Sequence, residues 1–378
     1  MKFIVSRDVL YRNLNAISGV MGSNNSQKMR ILDNVLLTIQ GDKLKLTASD
    51  MESTMTAEIE LTDVEGEGSI CIPVKLLLDT LKLIQETPIV FVIDEENKVL
   101  RFTTSNGEYD APCYDANEFP QIKEIENPSF FDIEAKVLKR AISKTLFATA
   151  NDDIRPQMTG VLCELSNECI TFVATDAHKL VRYRNSRVKT DDFASFILSK
   201  KPISHLEKIL TDDENNVHVE YSQETHHVRF SFDNYTLYSS LKDGKYPNYD
   251  AVIPKSNPNS FVVSREDFLW SIRRVANYSN QSTFQVRVSL SADKTGIMAE
   301  DMDFSNKASE DVSGIYTGEP MNIGFNSKFL REMLDKMDSN QIRLEMSQPN
   351  RAALILPEEE YDENESLLML IMPVMLNN

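Results

Sequence analysis

The sequence predicts an α+β fold in which one domain occurs three times, each copy with two helices packed on antiparallel sheets. The main observation is a pattern that recurs about every 130 residues, beginning at Phe3, Phe131 and Phe261. In each copy an aromatic and a β-branched residue two positions apart mark a strand, and apolar residues at helical spacing follow. The chain has 378 residues, 41% of them hydrophobic, which suffices for three cores.

The elements of the first copy follow from its hydrophobic periodicity. Helical spacing predicts helices over Arg7–Ser18 and Val74–Gln85. Alternation on either side of Gly41-Asp42 predicts a β-hairpin that ends at Asp50. Further alternation predicts strands over 70–73, 89–93, 99–103 and 109–114.

The second and third copies repeat this order. Their hairpins reach Asp176 and Asp301, and their second helices are predicted over Lys200–Leu210 and Phe325–Met337, the latter capped by Asn326 or Ser327. An acidic segment, EEEYDENE, is interpreted as a solvated turn before a final strand, LLMLIMPVML. We therefore expect domains at 1–122, 130–250 and 255–378.

Composition limits the location and the cofactors of the protein. No apolar run is long enough to span a bilayer, and the N-terminus lacks the pattern of a signal peptide, so a cytoplasmic protein is expected. The four cysteines form no CxxC pair and are interpreted as reduced structural thiols. We expect no metal and no cofactor.

The charges are unevenly distributed between helices and strands. The net charge is −18, which opposes binding to nucleic acid, yet the six predicted helices contain more basic than acidic residues. Lysine and arginine are common on helix surfaces, which is one explanation. The alternative is that the helices of all three copies form one basic layer that faces a polyanion.

Motifs typical of enzymes are missing. GxxxxGK[ST], GxGxxG, HExxH and GxSxG do not occur. Asp176-Ala177-His178, with Asp152-Asp153 nearby in sequence, leaves open a metal-dependent hydrolase. A non-DNA acidic scaffold is the other alternative.

Several segments resemble one family. They are Ala174-Thr175-Asp176-Ala177-His178-Lys179-Leu180, Tyr246-Pro247-Asn248-Tyr249, IGFNSKFL at 323–330, Met372-Pro373-Val374-Met375-Leu376, the opening MKF and SGVMG in the first copy. In order and over the whole length, the chain resembles the bacterial sliding clamp, the β subunit of DNA polymerase III.

The resemblance implies a head-to-tail homodimer that forms a six-domain ring around duplex DNA, with helices inside and sheets outside. Such a clamp is not an enzyme. It gives the polymerase processivity, and a clamp loader opens and closes it. Its implied partners are DNA, the clamp loader, the catalytic subunit of DNA polymerase III, other polymerases, and mismatch-repair or ligase-type proteins that carry clamp-binding peptides.

The resemblance also implies three sets of residues. The partner-peptide pocket would comprise Met158, Thr175, Ala177, His178, Lys179, Leu180, Pro247, Val252, Leu370, Met372, Pro373, Val374, Met375 and Leu376. The DNA-facing set would comprise Lys28, Arg30, Lys75, Lys82, Lys136, Arg140, Lys144, Arg155, Lys200, Lys201, Arg273 and Lys328. The dimer interface would involve Gly107–Cys113 and Ala276–Asn280, with Tyr109, Ala111 and Tyr278 as contacts.

The chain departs from the family pattern at several of these positions. The family often has glycine and arginine in place of Ala177 and Lys179, and arginine in place of Ala251 and Met375. The pocket is therefore expected to be more apolar and to prefer different peptides. The loop arginine of the family falls among Asn24–Ser26, with Lys28 and Arg30 as substitutes, and Pro156-Gln157 replaces an aromatic pair.

Overall fold

Each of the three repeats contains two helices. The structure, a computed structural model, describes residues 1–22, 29–85, 88–122, 125–152, 154–212 and 215–376. The α-helices in these residues are α1 Arg7–Ser18, α2 Val74–Leu81, α3 Ala135–Thr145, α4 Lys200–Ile209, α5 Arg265–Ala276 and α6 Ser327–Lys336.

The strands also repeat in order. The first repeat has β1 Lys2–Ser6, β2 Asn34–Gln40, β3 Lys43–Ser49, β4 Ser53–Glu60, β5 Asp63–Glu65, β6 Gly68–Pro73, β7 Pro88–Asp94, β8 Val99–Thr103, β9 Glu108–Pro112 and β10 Tyr114–Asp115. The second has β11 Ser129–Glu134, β12 Gly160–Leu165, β13 Ile170–Thr175, β14 Lys179–Asn185, β15 Ala194–Ser199, β16 Asn216–Ser222, β17 His227–Phe232 and β18 Tyr235–Lys242. The third has β19 Asn259–Ser264, β20 Gln285–Leu290, β21 Thr295–Asp301, β22 Asn306–Asp311, β23 Gly314–Thr317, β24 Met321–Asn326, β25 Gln341–Met346, β26 Ala353–Pro357 and β27 Glu365–Ile371.

The repeating pattern of the sequence corresponds to the switch from strand to helix. In the third repeat the Ser264 side chain accepts a hydrogen bond from the Asp267 amide and so caps α5. Asn326 caps α6 by accepting from the amides of Lys328 and Phe329. The apolar positions after each cap are buried because they follow helical spacing on the face toward the sheets.

Close contacts divide the chain into two units, and each unit has one nine-stranded antiparallel sheet. The first unit comprises residues 1–136 and 201–241. Its large sheet has the order β10-β6-β2-β3-β4-β18-β17-β16-β11, and a second sheet has the order β5-β1-β7-β8-β9.

The second unit comprises residues 137–200 and 242–378. Its large sheet has the order β15-β12-β13-β14-β27-β26-β25-β19-β23, and a smaller sheet has the order β22-β21-β20-β24. In each unit, strands of two successive repeats therefore form one continuous sheet.

The turn between β3 and β4 in the first repeat has the same hydrogen bonds as the turn between β13 and β14 in the second repeat. The Asp50 carboxylate accepts from the amides of Glu52 and Ser53, and the Asp176 carboxylate accepts from those of His178 and Lys179. The next residue is left-handed in both turns, with φ of 78° at Met51 and 74° at Ala177. Methionine and alanine both carry a Cβ atom, so this left-handed backbone conformation is strained at both positions.

The third repeat has a longer version of this turn. Asp301 pairs with Asn306 across the hairpin, and its carboxylate accepts from the Asp303 amide. The aspartates predicted at the hairpin ends thus cap their turns.

An ion-pair network lies inside the second unit. Arg140 on α3 donates to Glu365 through Nε at 2.6 Å and Nη2 at 2.7 Å, and it also pairs with Asp338. The buried Lys144 ammonium lies 2.7 Å from the Asp338 carboxylate and donates to the Lys336 carbonyl. Burial lowers the pKa of Lys144, although the hydrogen bond to Asp338 opposes this shift.

The structure corrects several predicted boundaries. Helix α2 ends at Leu81 and not at Gln85, because Leu83 and Ile84 make tighter bonds to carbonyls three residues earlier. Helix α6 begins at Ser327 and not at Phe325, which pairs with Val286 in the sheet.

The C-terminal part of the third repeat also differs from the prediction. The final strand ends at Ile371, before Pro373, which has no amide hydrogen to continue the ladder. The acidic segment is more than a solvated turn. The Cζ atom of Arg140 lies 3.8 Å from the Tyr361 ring centroid, and Asp362 forms an ion pair with Arg187. The sequence interpretation also did not name the strands β4, β5, β14, β15, β22, β23 and β24.

The cysteines in the structure are free, and Cys71, Cys113 and Cys163 are buried. Within the described residues, no helix is long and apolar enough to cross a membrane.

We predict that Ala177→Gly raises the free energy of unfolding by up to about 1 kcal/mol, because glycine adopts the left-handed conformation without strain. Ala174→Gly, three residues earlier in the buried strand β13, should lower it by about 1 kcal/mol. Thermal unfolding of the two variants measures both effects. A lower melting temperature for Ala177→Gly than for the wild type would contradict the assignment of strain to this turn.

Removal of Asp338 should destabilise the second unit. We expect Asp338→Asn to cost about 3 kcal/mol, because it leaves the buried Lys144 ammonium without its anionic partner. The double variant Asp338→Leu with Lys144→Met should recover most of this loss. Asp311→Asn, in the exposed Lys294–Asp311 pair, should change stability by less than about 0.5 kcal/mol.

The pair of Asp338 and Lys144 also makes the free energy of unfolding depend on pH. Burial alone would raise the pKa of Asp338, but hydrogen bonds from Lys144 and Arg140 lower it below its usual value of 3.8. The stabilisation is therefore present above that value and is lost as the pH falls through the folded-state pKa. Chemical denaturation between pH 3 and pH 6 should show a steeper loss for the wild type than for the Asp338→Leu, Lys144→Met variant.

Candidate functional site

Many of the residues predicted to form the pocket lie around the pairing of β14 with β27. Leu180 lies opposite Leu370 in this ladder, and both are buried. They belong to one apolar cluster with Tyr246 and Tyr249, which come from the segment after β18. The floor of the pocket is thus formed by the second and third repeats together, within one unit.

The C-terminal tail is held beside this floor by backbone hydrogen bonds. The Met372 amide donates to the His178 carbonyl at 2.8 Å, and the Val374 amide donates to the Gly324 carbonyl at 2.9 Å. A Cβ atom at Gly324 would lie 2.6 Å from the Val374 carbonyl oxygen and 2.8 Å from Leu376 Cδ2. Only glycine lets the tail approach this closely.

Apolar side chains remain exposed above the floor. Val252 is 56% exposed, Met372 39% and Met375 76%, although each lies beside a buried apolar cluster or strand. Flexible thioether side chains can adapt to different apolar groups. The arrangement can therefore bury an apolar side chain of another molecule without a large rearrangement.

Lys179 and His178 have roles that the sequence did not reveal. The Lys179 ammonium lies 2.9 Å from Asp176, 3.1 Å from Glu332 and 4.3 Å from the Phe329 ring centroid. Its side chain is buried, so its charge connects the turn to α6 and does not face solvent. The exposed His178 ring stacks on Phe329 at 6.0 Å.

The structure therefore adds Gly324, Phe329 and Glu332 to the surroundings of the pocket. Gly324 and Phe329 lie within IGFNSKFL, which the sequence analysis quoted, but nothing in its spacing indicated a contact with the turn at Asp176. The remaining predicted pocket residues are Met158 and Thr175, which are buried, Pro373, which is half-buried, and Ala177 and Pro247, which are exposed.

The geometry around Asp176 does not favour a hydrolytic centre. The Asp176 carboxylate accepts from the amides of His178 and Lys179 and from the Lys179 ammonium, so it serves as a turn cap. Among the residues that the structure describes, no group of three or more His, Cys, Asp or Glu is placed to hold a metal ion.

The residues of the predicted DNA-facing set fall into three groups. Arg30, Lys75, Lys82, Lys201 and Lys328 are exposed. Lys136, Arg140, Arg155, Lys200 and Arg273 are half-buried, and Lys144 is buried. Lys28 and the segment Asn24–Ser26 lie outside the described residues.

Many of these cations have partners within the chain. Lys201 pairs with Asp50, Arg273 with Asp335 at 2.6 Å, and Lys136 with Glu134 at 3.3 Å. Lys200 donates to the Asn151 side chain at 2.7 Å. The Lys328 ammonium lies 3.3 Å from the Phe284 ring centroid.

The predicted interface residues lie at sheet edges and a helix end. Strands β9 and β22 are the last strands of their sheets in the described chain. Tyr109 on β9 is 38% exposed and stacks on Phe102 at 4.9 Å, whereas Ala111 is buried. Tyr278 follows α5 and is 46% exposed.

Comparison with known proteins identifies one family across the whole chain. Models of the DNA polymerase III beta subunit match its N-terminal domain at residues 1–123, its central domain at 132–248 and its C-terminal domain at 250–375. The beta sliding clamp of Pseudomonas putida is 31% identical over 98% of this chain and 99% of its own length. The beta sliding clamp of Escherichia coli is 26% identical over the full length of both chains.

Solved structures agree with these matches. A DnaN sliding clamp from Pseudomonas aeruginosa bound to griselimycin superposes with a TM-score of 0.93 at 28% identity, covering all of both chains. A sliding clamp from Bacillus subtilis gives 0.92 at 23% identity, again over both whole chains, and shows the shared fold. The chain belongs to the family of the DNA polymerase III beta subunit, the bacterial β sliding clamp.

Proposed function

We propose that two copies of the chain close head-to-tail into a ring around duplex DNA, and that partner proteins bind the pocket beside β14 and β27. As a member of its family, the chain is a non-catalytic processivity subunit of the DNA polymerase III holoenzyme. The single observation that carries the proposal is the match of all three parts of that family, in order, over the whole chain. We propose domain bounds of 1–122, 130–250 and 255–378 and a cytoplasmic location, where bacterial DNA is replicated.

The first unit contains a junction equivalent to that of β14 with β27, and a comparison of the two junctions supports the proposed pocket. There β4 pairs with β18 as β14 pairs with β27, and the Ser240 amide donates to the Glu52 carbonyl as Met372 donates to His178. At this equivalent junction the positions of Leu180 and Met372 are taken by Thr54 and Ser240, which are polar.

This difference favours a binding role for the apolar surface at one of two otherwise similar junctions. The fold tolerates polar residues at these positions, because the first unit has them. The exposed apolar side chain of Met372 is therefore not required by the sheet itself. A partner that inserts an apolar side chain explains it.

Partners would be anchored by leucine or aromatic side chains. At roughly 25 cal/mol per Å², an anchor that loses about 100 Å² of apolar surface gains about 2.5 kcal/mol before entropic costs. Met375 and Ala251 replace arginines that are frequent in the family, so recognition here depends less on guanidinium hydrogen bonds. The proposed partners are the clamp loader, the polymerase III catalytic subunit, and other polymerases and mismatch-repair or ligase-type proteins with clamp-binding peptides.

DNA would lie against the helices through their exposed cations. Arg30, Lys75, Lys82 and Lys328 are exposed and can approach phosphates without losing a buried partner. Arg140 and Lys144 are engaged with Glu365 and Asp338, and for this reason the proposal does not depend on them.

We expect the tail to determine peptide affinity. Deletion of residues 374–378 and, separately, Gly324→Ala should each weaken binding of a leucine- and phenylalanine-containing peptide by tenfold or more, because both remove Val374 and Leu376 from the pocket. Calorimetry with a peptide from the polymerase III catalytic subunit measures this. Gly296→Ala is the control, since its Cβ would meet no atom closer than 3.3 Å.

The tail variants should leave the dimer intact, which light scattering can verify. Unchanged peptide affinity in both variants would rule out this pocket. Conversion to monomer would show that the tail serves the interface.

A ring that encloses DNA should be retained by topology and not by affinity. We expect weak, steeply salt-dependent binding to linear duplex, because the net charge of −18 opposes the contacts from the helices. Once loaded by a clamp loader with ATP, the protein should remain on nicked circular DNA at high salt and leave when the circle is linearised. Gel filtration of the two DNA forms measures retention, and equal loss from both would refute encirclement.

A further inference from the structure

Arg287 lies beside the proposed pocket and has no anionic partner within the described part of the chain. We infer that Arg287 binds a carboxylate of the partner protein, which an acidic residue a few positions from the apolar anchor contributes. The inference rests on the proposed peptide pocket and adds a determinant of partner specificity to it. Its basis is the register of β20, β21 and β24, the contacts of the tail, and a groove next to Arg287.

Arg287 projects from the face of the smaller sheet on which the tail lies. The residues on either side of it along β20 are buried valines, so its own side chain points to the opposite face. In the ladder Arg287 is paired with Gly324 of β24, and directly opposed residues project from the same face. Because Val374 and Leu376 cover this face at Gly324, the Arg287 side chain lies alongside the tail.

The guanidinium of Arg287 lacks the carboxylate that other arginines of the second unit have. Within the described residues, its buried Nε atom makes no hydrogen bond, and no carboxylate lies within ion-pair distance. By contrast, carboxylates of the same unit pair with Arg140, Arg182, Arg187, Arg273, Arg274 and Arg343. A guanidinium keeps its charge when partly buried and is matched best by a carboxylate, which can accept two parallel hydrogen bonds.

The immediate neighbours of Arg287 on this face are uncharged. They are Met298 and Gly324 across the ladders, and Gln285 and Ser289 along β20. Glu300, two residues beyond Met298, lies directly opposite Lys307 of β22, which competes for its charge. The surroundings of Arg287 therefore leave its guanidinium accessible to an anion from another molecule.

A groove begins next to Arg287 and continues along the same sheet. It has a volume of about 510 Å³, and hydroxyl, amide and thioether groups contribute to its lining, among them those of Ser289, Ser309, Asn322 and Met298. A lysine in the lining, Lys294, pairs with Asp311 at 3.0 Å. The groove thus suits an extended, polar segment of a partner, and Arg287 supplies an unpaired cation at its entrance.

The separation of Arg287 from the pocket floor fits a single peptide. The tail is bonded to His178 through Met372 and to Gly324 through Val374, and two residues of extended chain span about 7 Å. From Gly324 to Arg287 the ladder adds about 5 Å. An extended peptide covers this sum with about four residues. We therefore place the acidic residue about four positions from the apolar anchor.

An acidic residue at this position also distinguishes partners. The net charge of −18 disfavours acidic segments over most of the surface of the chain. An unpaired cation beside the pocket therefore separates a partner with a correctly placed carboxylate from one whose carboxylates lie elsewhere.

Calorimetry with synthetic peptides tests the inference on the full-length protein. Each peptide has one leucine–phenylalanine anchor and carries either aspartate or asparagine about four residues before the anchor or after it. For one of these two placements, the aspartate peptide should bind the wild type about fivefold more tightly than the asparagine peptide at low salt. In about 1 M salt the difference should shrink to less than about twofold, because the charges are screened.

Variants of Arg287 show whether this side chain causes the preference. Arg287→Gln should abolish it and leave the affinity for the asparagine peptide within about twofold of the wild type, which also verifies that the pocket is folded. Arg287→Glu should reverse it, so that a peptide with lysine at the same position binds more tightly than the aspartate peptide. Lys189→Gln is the control, because it removes an exposed cation from the segment between β14 and β15 of the same unit and should keep the preference.

The outcomes separate this inference from the proposed pocket. Equal affinity of the wild type for the aspartate and asparagine peptides, or an unchanged preference in Arg287→Gln, would overturn the role of Arg287 and leave the pocket standing. Failure of all the peptides to bind the wild type would refute the pocket, and this inference with it.

Discussion

The structure depends on antiparallel strand pairing that crosses from one repeat to the next. The hydrogen-bonding groups on the open side of β4 and β14 are satisfied by β18 and β27 of the following repeats. An edge strand left open exposes a row of unsatisfied amides and carbonyls. Strands of successive repeats therefore share one sheet, and each junction creates a surface that neither repeat has alone.

The functional surfaces arise where these junctions differ. At the junction of β4 with β18, Thr54 and Ser240 are polar, whereas at that of β14 with β27 the equivalent residues, Leu180 and Met372, are apolar. The same backbone arrangement thus gives a structural contact in one unit and a candidate binding site in the other. The charges also differ in role: Arg140 and Lys144 form ion pairs inside the second unit, while Lys75 on α2 and Lys82 directly after it stay exposed.

Much of the fold could be predicted because the signals are local and repeated. The spacing after Phe3, Phe131 and Phe261 sets strand, cap and helix within about a dozen residues, and three copies reduce the ambiguity of each. The errors occurred where a tertiary contact determines an element. Phe325 carries a helical pattern but pairs in β24, and the apolar tail after Ile371 looks like strand although Pro373 ends the ladder.

The residues of the proposed pocket could be named from the sequence, but their contacts could not, because these contacts join distant segments of the chain. Lys179 reads as an exposed cation in a polar turn, yet Asp176, Glu332 and Phe329 surround its ammonium. Gly324 reads as an ordinary glycine in a strand, yet the tail passes within van der Waals contact of it. In both cases a local residue type is fixed by a partner more than 45 residues away or on another strand, and periodicity carries no information about that partner.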